Sequence, residues 1–115
     1  MLLFDWWVMN ADRQDVNPNL LWRDVDRTLH VIDHNLAFGD DAPDQFWRYH
    51  IFRGDRAALA GLRAQNIATM NAMIEQLPGL WEQVPDLWRD SCLLRPDQVD
   101  TILRRCLDDG FWAER

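Results

Sequence analysis

The sequence predicts a mainly α fold with one small β-hairpin, an α+β chain in which strands are few. Three observations predict it. Between residues 56 and 77, Leu59, Leu62, Ile67, Met70, Met73, Ile74 and Leu77 recur at helical spacing. Residues 19–23 and 28–32 are short runs rich in Leu, Val, Ile and Trp, and the four residues between them, Asp24, Val25, Asp26 and Arg27, suit a turn joining antiparallel strands. Beyond the hairpin the chain carries helix signals only.

Taken in order, residues 2–9 (LLFDWWVM) are apolar on nearly every side, so a helix here has to be covered all round. The next ten residues, NADRQDVNPN, are dense in Asn and Asp and contain Pro18; they read as a loop whose side chains bond their own backbone. The hairpin follows, then a second loop, HNLAFGDDAPD, with Gly39 and Pro43. The helix over 56–77 is expected to stop at Pro78 and Gly79. Two shorter helices fit residues 80–89, broken or kinked at Pro85, and 96–107, where Pro96 suits a first-turn position and Val99, Ile102, Leu103, Cys106 and Leu107 form the apolar stripe.

The 115 residues are 48% hydrophobic and 27% charged, which is the composition of one ordinary globular domain. A net charge of −7 repels a phosphate backbone and argues against a nucleic-acid partner. No stretch approaches the ~20 apolar residues of a membrane span, so a cytoplasmic protein with no membrane partner is expected. Cys92 and Cys106 have no Cys or His neighbours at zinc spacing and read as buried free thiols. There are twelve arginines and no lysine.

The first loop places Asn17 five residues after Asp12, and the hairpin ends at Asp33 after the apolar run LHVI. Phosphoryl transfer needs such parts: a carboxylate to orient the attacking hydroxyl, then an amide and a second carboxylate as hard oxygen ligands for Mg²⁺. A turn around Val25 and Asp26 sets Leu20 opposite Val31 and Pro18 opposite Asp33, with Cα atoms about 5 Å apart. Asn17 and Asp33 then share one end of the ribbon. A strict pleat would point them to opposite faces, so the strands must end or bulge just before them.

The stretches MNADRQDVNPNLLW and LHVIDHNLAF, within residues 4–39, resemble the catalytic and metal-binding segments of HipA-like kinases and, more distantly, of phosphoinositide kinases. The resemblance implies a partial protein-kinase-like C-terminal lobe, with residues 1–39 carrying the catalytic loop and metal site and residues 43–115 a helical subdomain. It implies that Asp12 is the catalytic base, that Arg13 helps hold the loop, that Asn17 and Asp33 bind the metal and nucleotide, and that Mg²⁺ and ATP are the cofactors. His34 and Asn35 stand where ordinary protein kinases have F-G after this aspartate. One helix precedes the catalytic loop, so the phosphate-covering loop and the ATP-positioning lysine are expected from another chain.

Two other readings compete. A kinase-derived protein without catalysis would act as an interaction or regulatory module, through another chain or self-association at the apolar first helix, where Trp6 and Trp7 mark a face for a partner to cover. A metal-dependent hydrolase would gather Asp12, Asp33, His34, Asp40 and Asp41. His30 and His34 are otherwise solvated or satisfied histidines, and Asp24, Asp26, Asp40, Asp41, Asp108 and Asp109 solvated surface.

Overall fold

The computed structural model describes residues 1–39 and 43–113. They form two compact units, Met1–Arg56 and Ala57–Arg115, and the fold is mainly helical with a single antiparallel hairpin among the described residues.

The first unit opens with α1, Leu2–Trp7. Most of its apolar side chains are covered: Leu2, Trp6 and Trp7 are buried, as are Val8 and Met9 behind them, and Phe4 is the exposed ring. Trp6 lies 5.2 Å from the ring of Phe46 and 4.7 Å from that of Trp47, both on α2, Pro43–Tyr49. Met9 turns the chain out of the helix with φ 54°, while the Asn10 N–H donates back to the Asp5 carbonyl at 2.8 Å.

Strand β1, Leu20–Arg23, pairs with β2, Thr28–Val31, in the register expected from the turn, Leu20 opposite Val31 and Arg23 opposite Thr28. One more ladder bond, Ile32 N–H to the Asn19 carbonyl at 3.0 Å, extends the pairing past the strand ends. A lone two-stranded ribbon is marginal in water, so its anchorage to the preceding loop decides whether it holds its shape.

The second unit contains α3, Leu59–Glu82; α4, Asp86–Ser91; α5, Pro96–Arg104; and α6, Asp109–Trp112. Helix α3 packs on α5 and on the short 3-10 turn Arg105–Leu107 that follows it. Leu59, Met70, Ile74, Val99, Leu103, Cys106, Phe111 and Trp112 make the core. Pro96 starts α5, where its missing N–H costs nothing, and the Gln98 side chain accepts the Arg95 N–H at 2.9 Å.

The second unit departs from the sequence expectation in two places. Helix α3 runs through Pro78 and Gly79 to Glu82. Proline removes one intrahelical donor and crowds the previous turn at a cost of ~3 kcal/mol, but about four turns already lie between Leu59 and Ile74. The turn after it closes on its own bonds, Gln83 N–H to the Leu80 carbonyl and Val84 N–H to the Trp81 carbonyl, both 3.1 Å. Residues 80–82 therefore belong to α3, and the chain breaks at Pro85, whose extended ψ of 139° precedes α4. Cys106 is buried, whereas Cys92 caps the exposed helix α4 and is itself exposed. Among the described residues no helix is long and apolar enough to cross a membrane.

Candidate active site

The loop after α1 is short of apolar residues and takes its shape from its own polar groups. Gln14 and Asn17 exchange backbone bonds of 3.0 and 3.1 Å, a tight turn that folds Asn17 back toward Asp12. Asn17 Nδ2 approaches Asp12 Oδ2 at 3.4 Å, and Asn19 Nδ2 donates to the same oxygen at 2.9 Å. From the other side the Ile51 N–H donates to the Arg13 carbonyl at 2.9 Å. Asp12 is half-buried and Asn17 exposed, so both face solvent from a braced segment.

Asp33 lies past the end of β2, exposed, with φ 53°. Asn19, opposite its neighbour Ile32, also sits in the left-handed region at φ 50°. The strands have ended at Leu20 and Val31, and the chain has left the pleat on both sides. Asp33 Oδ1 accepts the Asn35 N–H at 3.4 Å. Among the described residues no hydrogen bond joins Asp33 to Asp12 or Asn17; its tie to the loop runs through its neighbours, Ile32 to Asn19 and His34 to Arg13.

Arg13 is fully buried and makes that tie. Its Nη1 donates to the carbonyls of Pro18 at 3.1 Å and Asn19 at 2.9 Å, and its Nη2 donates to His34 Nε2 at 3.2 Å. His34 is thus a satisfied histidine, also set edge-on to Phe4 with ring centroids 5.8 Å apart. The rest of the guanidinium grips Asp5, Nε to Oδ2 at 2.8 Å and Nη2 to Oδ1 at 3.2 Å. Asp5 further accepts Asn10 Nδ2 at 3.1 Å and contacts His50 Nε2 at 3.1 Å.

Burial by itself raises the Asp5 pKa. The hydrogen bonds from His50, Arg13 and Asn10, with the guanidinium charge, outweigh it and hold the carboxyl below the usual carboxylate range. Asp5, Asn10, Asn19 and His50 are the residues that reading the sequence missed. For Asp5 a signal existed: an acid inside an otherwise apolar, buried helix needs a partner. His50 lies 45 positions from Asp5 and carried no local signal.

A family model described as HipA-like kinase matches residues 1–115. This chain belongs to the HipA-like kinase family. No curated protein and no solved structure matches it. The family match covers the helical second unit as well as the loops that first suggested it, and says nothing of the more distant likeness to phosphoinositide kinases.

For a HipA-like kinase chain the acidic groups divide simply. Asp24 accepts Trp22 Nε1 at 2.7 Å, Asp26 pairs with Arg23, and Asp109 pairs with Arg63 at 2.7 Å, all at the surface. Asp40 and Asp41 lie outside the described residues, and among those described no three His, Cys, Asp or Glu side chains gather as a metal-hydrolase site requires.

Proposed function

We propose that this chain supplies the catalytic-loop half of a phosphotransferase site, moving the γ-phosphoryl of ATP onto a hydroxyl, and that an N-terminal lobe from outside these 115 residues completes it. The observation that carries the reading is the Asp12–Asn17 contact on a braced loop, at the ribbon end where Asp33 emerges, in a chain matched throughout by a kinase family.

Asp12 Oδ2 is held by Asn19 and Asn17, which leaves Oδ1 to orient the attacking hydroxyl and take its proton. Asn17 commits its nitrogen to Asp12, so its oxygen is the atom open to a hard cation. Asp33 commits Oδ1 to the Asn35 N–H and keeps Oδ2 open. An all-oxygen pair of this kind fits Mg²⁺, and Asn17 and Asp33 are the residues that would hold it. Magnesium, when bound with the nucleotide, neutralises charge on the phosphates. Arg13 has no free donor for a phosphate and acts by holding the two segments together. The chain has no lysine, so the cation that grips the triphosphate comes with the other lobe.

The test is phosphoryl transfer by the chain joined to that lobe. Asp12→Ala lowers the rate by about 10²–10⁴-fold, and Asp33→Asn removes the response to Mg²⁺. Should transfer and biological effect survive both changes, the non-catalytic interaction module replaces this reading.

A further inference from the structure

We infer that Asp5 and His50 are positioning residues of the phosphoryl-transfer site, acting on Asp12, Asn17 and Asp33 through Arg13. This rests on the function proposed above.

The chain of bonds starts at His50. The Phe52 N–H donates to His50 Nδ1 at 3.1 Å, so that nitrogen carries no proton and Nε2 does. The Nε2 proton is aimed at Asp5 Oδ2, 3.1 Å away. Held there, the Asp5 carboxylate takes Nε and one Nη2 hydrogen of Arg13. A guanidinium is planar, so fixing that edge fixes the direction of every remaining N–H. The others meet Pro18, Asn19 and His34, and all five N–H groups of Arg13 are engaged.

Each of those contacts leads to a proposed site residue. Asn19 holds Asp12 through its side chain at 2.9 Å and accepts the Ile32 N–H through its carbonyl at 3.0 Å. Pro18 follows Asn17 directly, and His34 follows Asp33. A tilt of the guanidinium plane therefore moves both halves of the site. Asp5 and Arg13 have no solvent exposure and His50 has 1%, so water cannot stand in for a lost bond. Packing alone does not ask for a histidine here: its stacking on Phe46, at 4.6 Å, is something a phenylalanine would reproduce.

That contrast defines the experiment. His50→Phe keeps the stacked ring and removes both nitrogens, whereas His50→Gln keeps a donor near the Nε2 position and gives up the ring. Two quantities are read for each, exchange of the Arg13 Nε–H with solvent by ¹⁵N NMR and steady-state transfer by the completed kinase. Positioning predicts that His50→Phe speeds the Nε–H exchange by about tenfold or more. It lowers kcat by about 100-fold with KM for ATP within about twofold of wild type, and His50→Gln restores most of both. The inference is overturned if His50→Phe matches wild type, or if His50→Gln is the more damaged of the two, as a packing role requires. Should His50→Phe fail to melt cooperatively, His50→Asn takes its place, since it can still accept the Phe52 N–H but falls short of Asp5. Absence of transfer in wild type would sink the kinase reading alone; the Nε–H exchange then decides the positioning by itself.

Discussion

The two units of this chain stabilise themselves by different means. Among the described residues, every buried polar or charged side chain, Asp5, Asn10, Arg13, Asn19 and His50, lies in the first unit, while the second buries only apolar ones. The non-glycine residues with left-handed backbone, Met9, Asn19, Arg27, Asp33 and Phe38, also lie in the first unit. Asn10 Oδ1 there is buried without a partner, which costs about 1–3 kcal/mol. An apolar core accepts many volume-conserving exchanges, whereas a buried polar network holds one geometry and tolerates little else. Left-handed backbone and fully buried charge have gathered in the unit that holds the candidate site. Among the described residues of the second unit no non-glycine residue is left-handed, and Arg105, whose pKa is lowered by partial burial, is the kind of charge it carries below its surface.

The sharpest way to break this contrast is to remove the carboxylate at the centre of the network. Asp5→Ala leaves the Arg13 charge buried and unpaired and is expected to cost about 3–5 kcal/mol, a large part of the ~5–15 kcal/mol that holds a domain together. Urea unfolding followed by tryptophan fluorescence measures it. A loss under about 1 kcal/mol would mean that the pair behaves like a surface bridge and that the network does not organise the unit.

A cavity in the other core gives the matched control. Ile74 has no solvent exposure, and Ile74→Ala should cost about 3 kcal/mol by lost contact alone. The two variants separate by location rather than size: hydrogen exchange at the Ile32 amide, bonded to Asn19, should accelerate in Asp5→Ala far more than in Ile74→Ala. Equal acceleration would show that the units unfold as one.

Acid distinguishes the units more gently. Because the folded Asp5 pKa lies below its unfolded value of about 3.9, its contribution is fully present above that value and is lost as pH falls through the folded one. Amide protection in residues 1–39 should therefore decline below about pH 4 before protection in α3 does. Asp26, lowered to about 2 by its hydrogen bond from Arg23, is exposed and screened by salt, so the decline should persist in 1 M salt. Disappearance of the effect at high salt would reassign it from Asp5 to the surface.

The difference between the units also explains what the sequence made legible. The hairpin register followed from turn length and apolar pattern, both local, and Leu20 does face Val31. The approach of Asn17 to Asp12 was equally local, set by a turn of four residues. The apolar period of α3 identified Leu59, Met70 and Ile74 as core, but Met73 on the same list is half exposed, and Pro78 proved no barrier to a helix already anchored for several turns. The Asp5–His50 contact joins the first helix to the residue after α2. No periodicity or spacing encodes a contact across 45 residues; only the rule that a buried acid needs a partner pointed toward it.

The smallest expected effect lies on the surface of the second unit and completes the contrast. Arg104 is bonded to Asp100 at 2.7 Å, one helical turn away on α5, and lies 3.6 Å from Glu75 on α3. By count of bonds this cluster rivals Asp5–Arg13, yet its groups are solvated, so the charges keep most of their hydration when separated and gain little when joined. Asp100→Ala should leave the urea midpoint and the rate of phosphoryl transfer unchanged within error. Its charges differ from those of Asp5 and Arg13 chiefly in access to water, so a loss comparable to that of Asp5→Ala would show that number of contacts, and not burial, sets the worth of an ion pair in this fold.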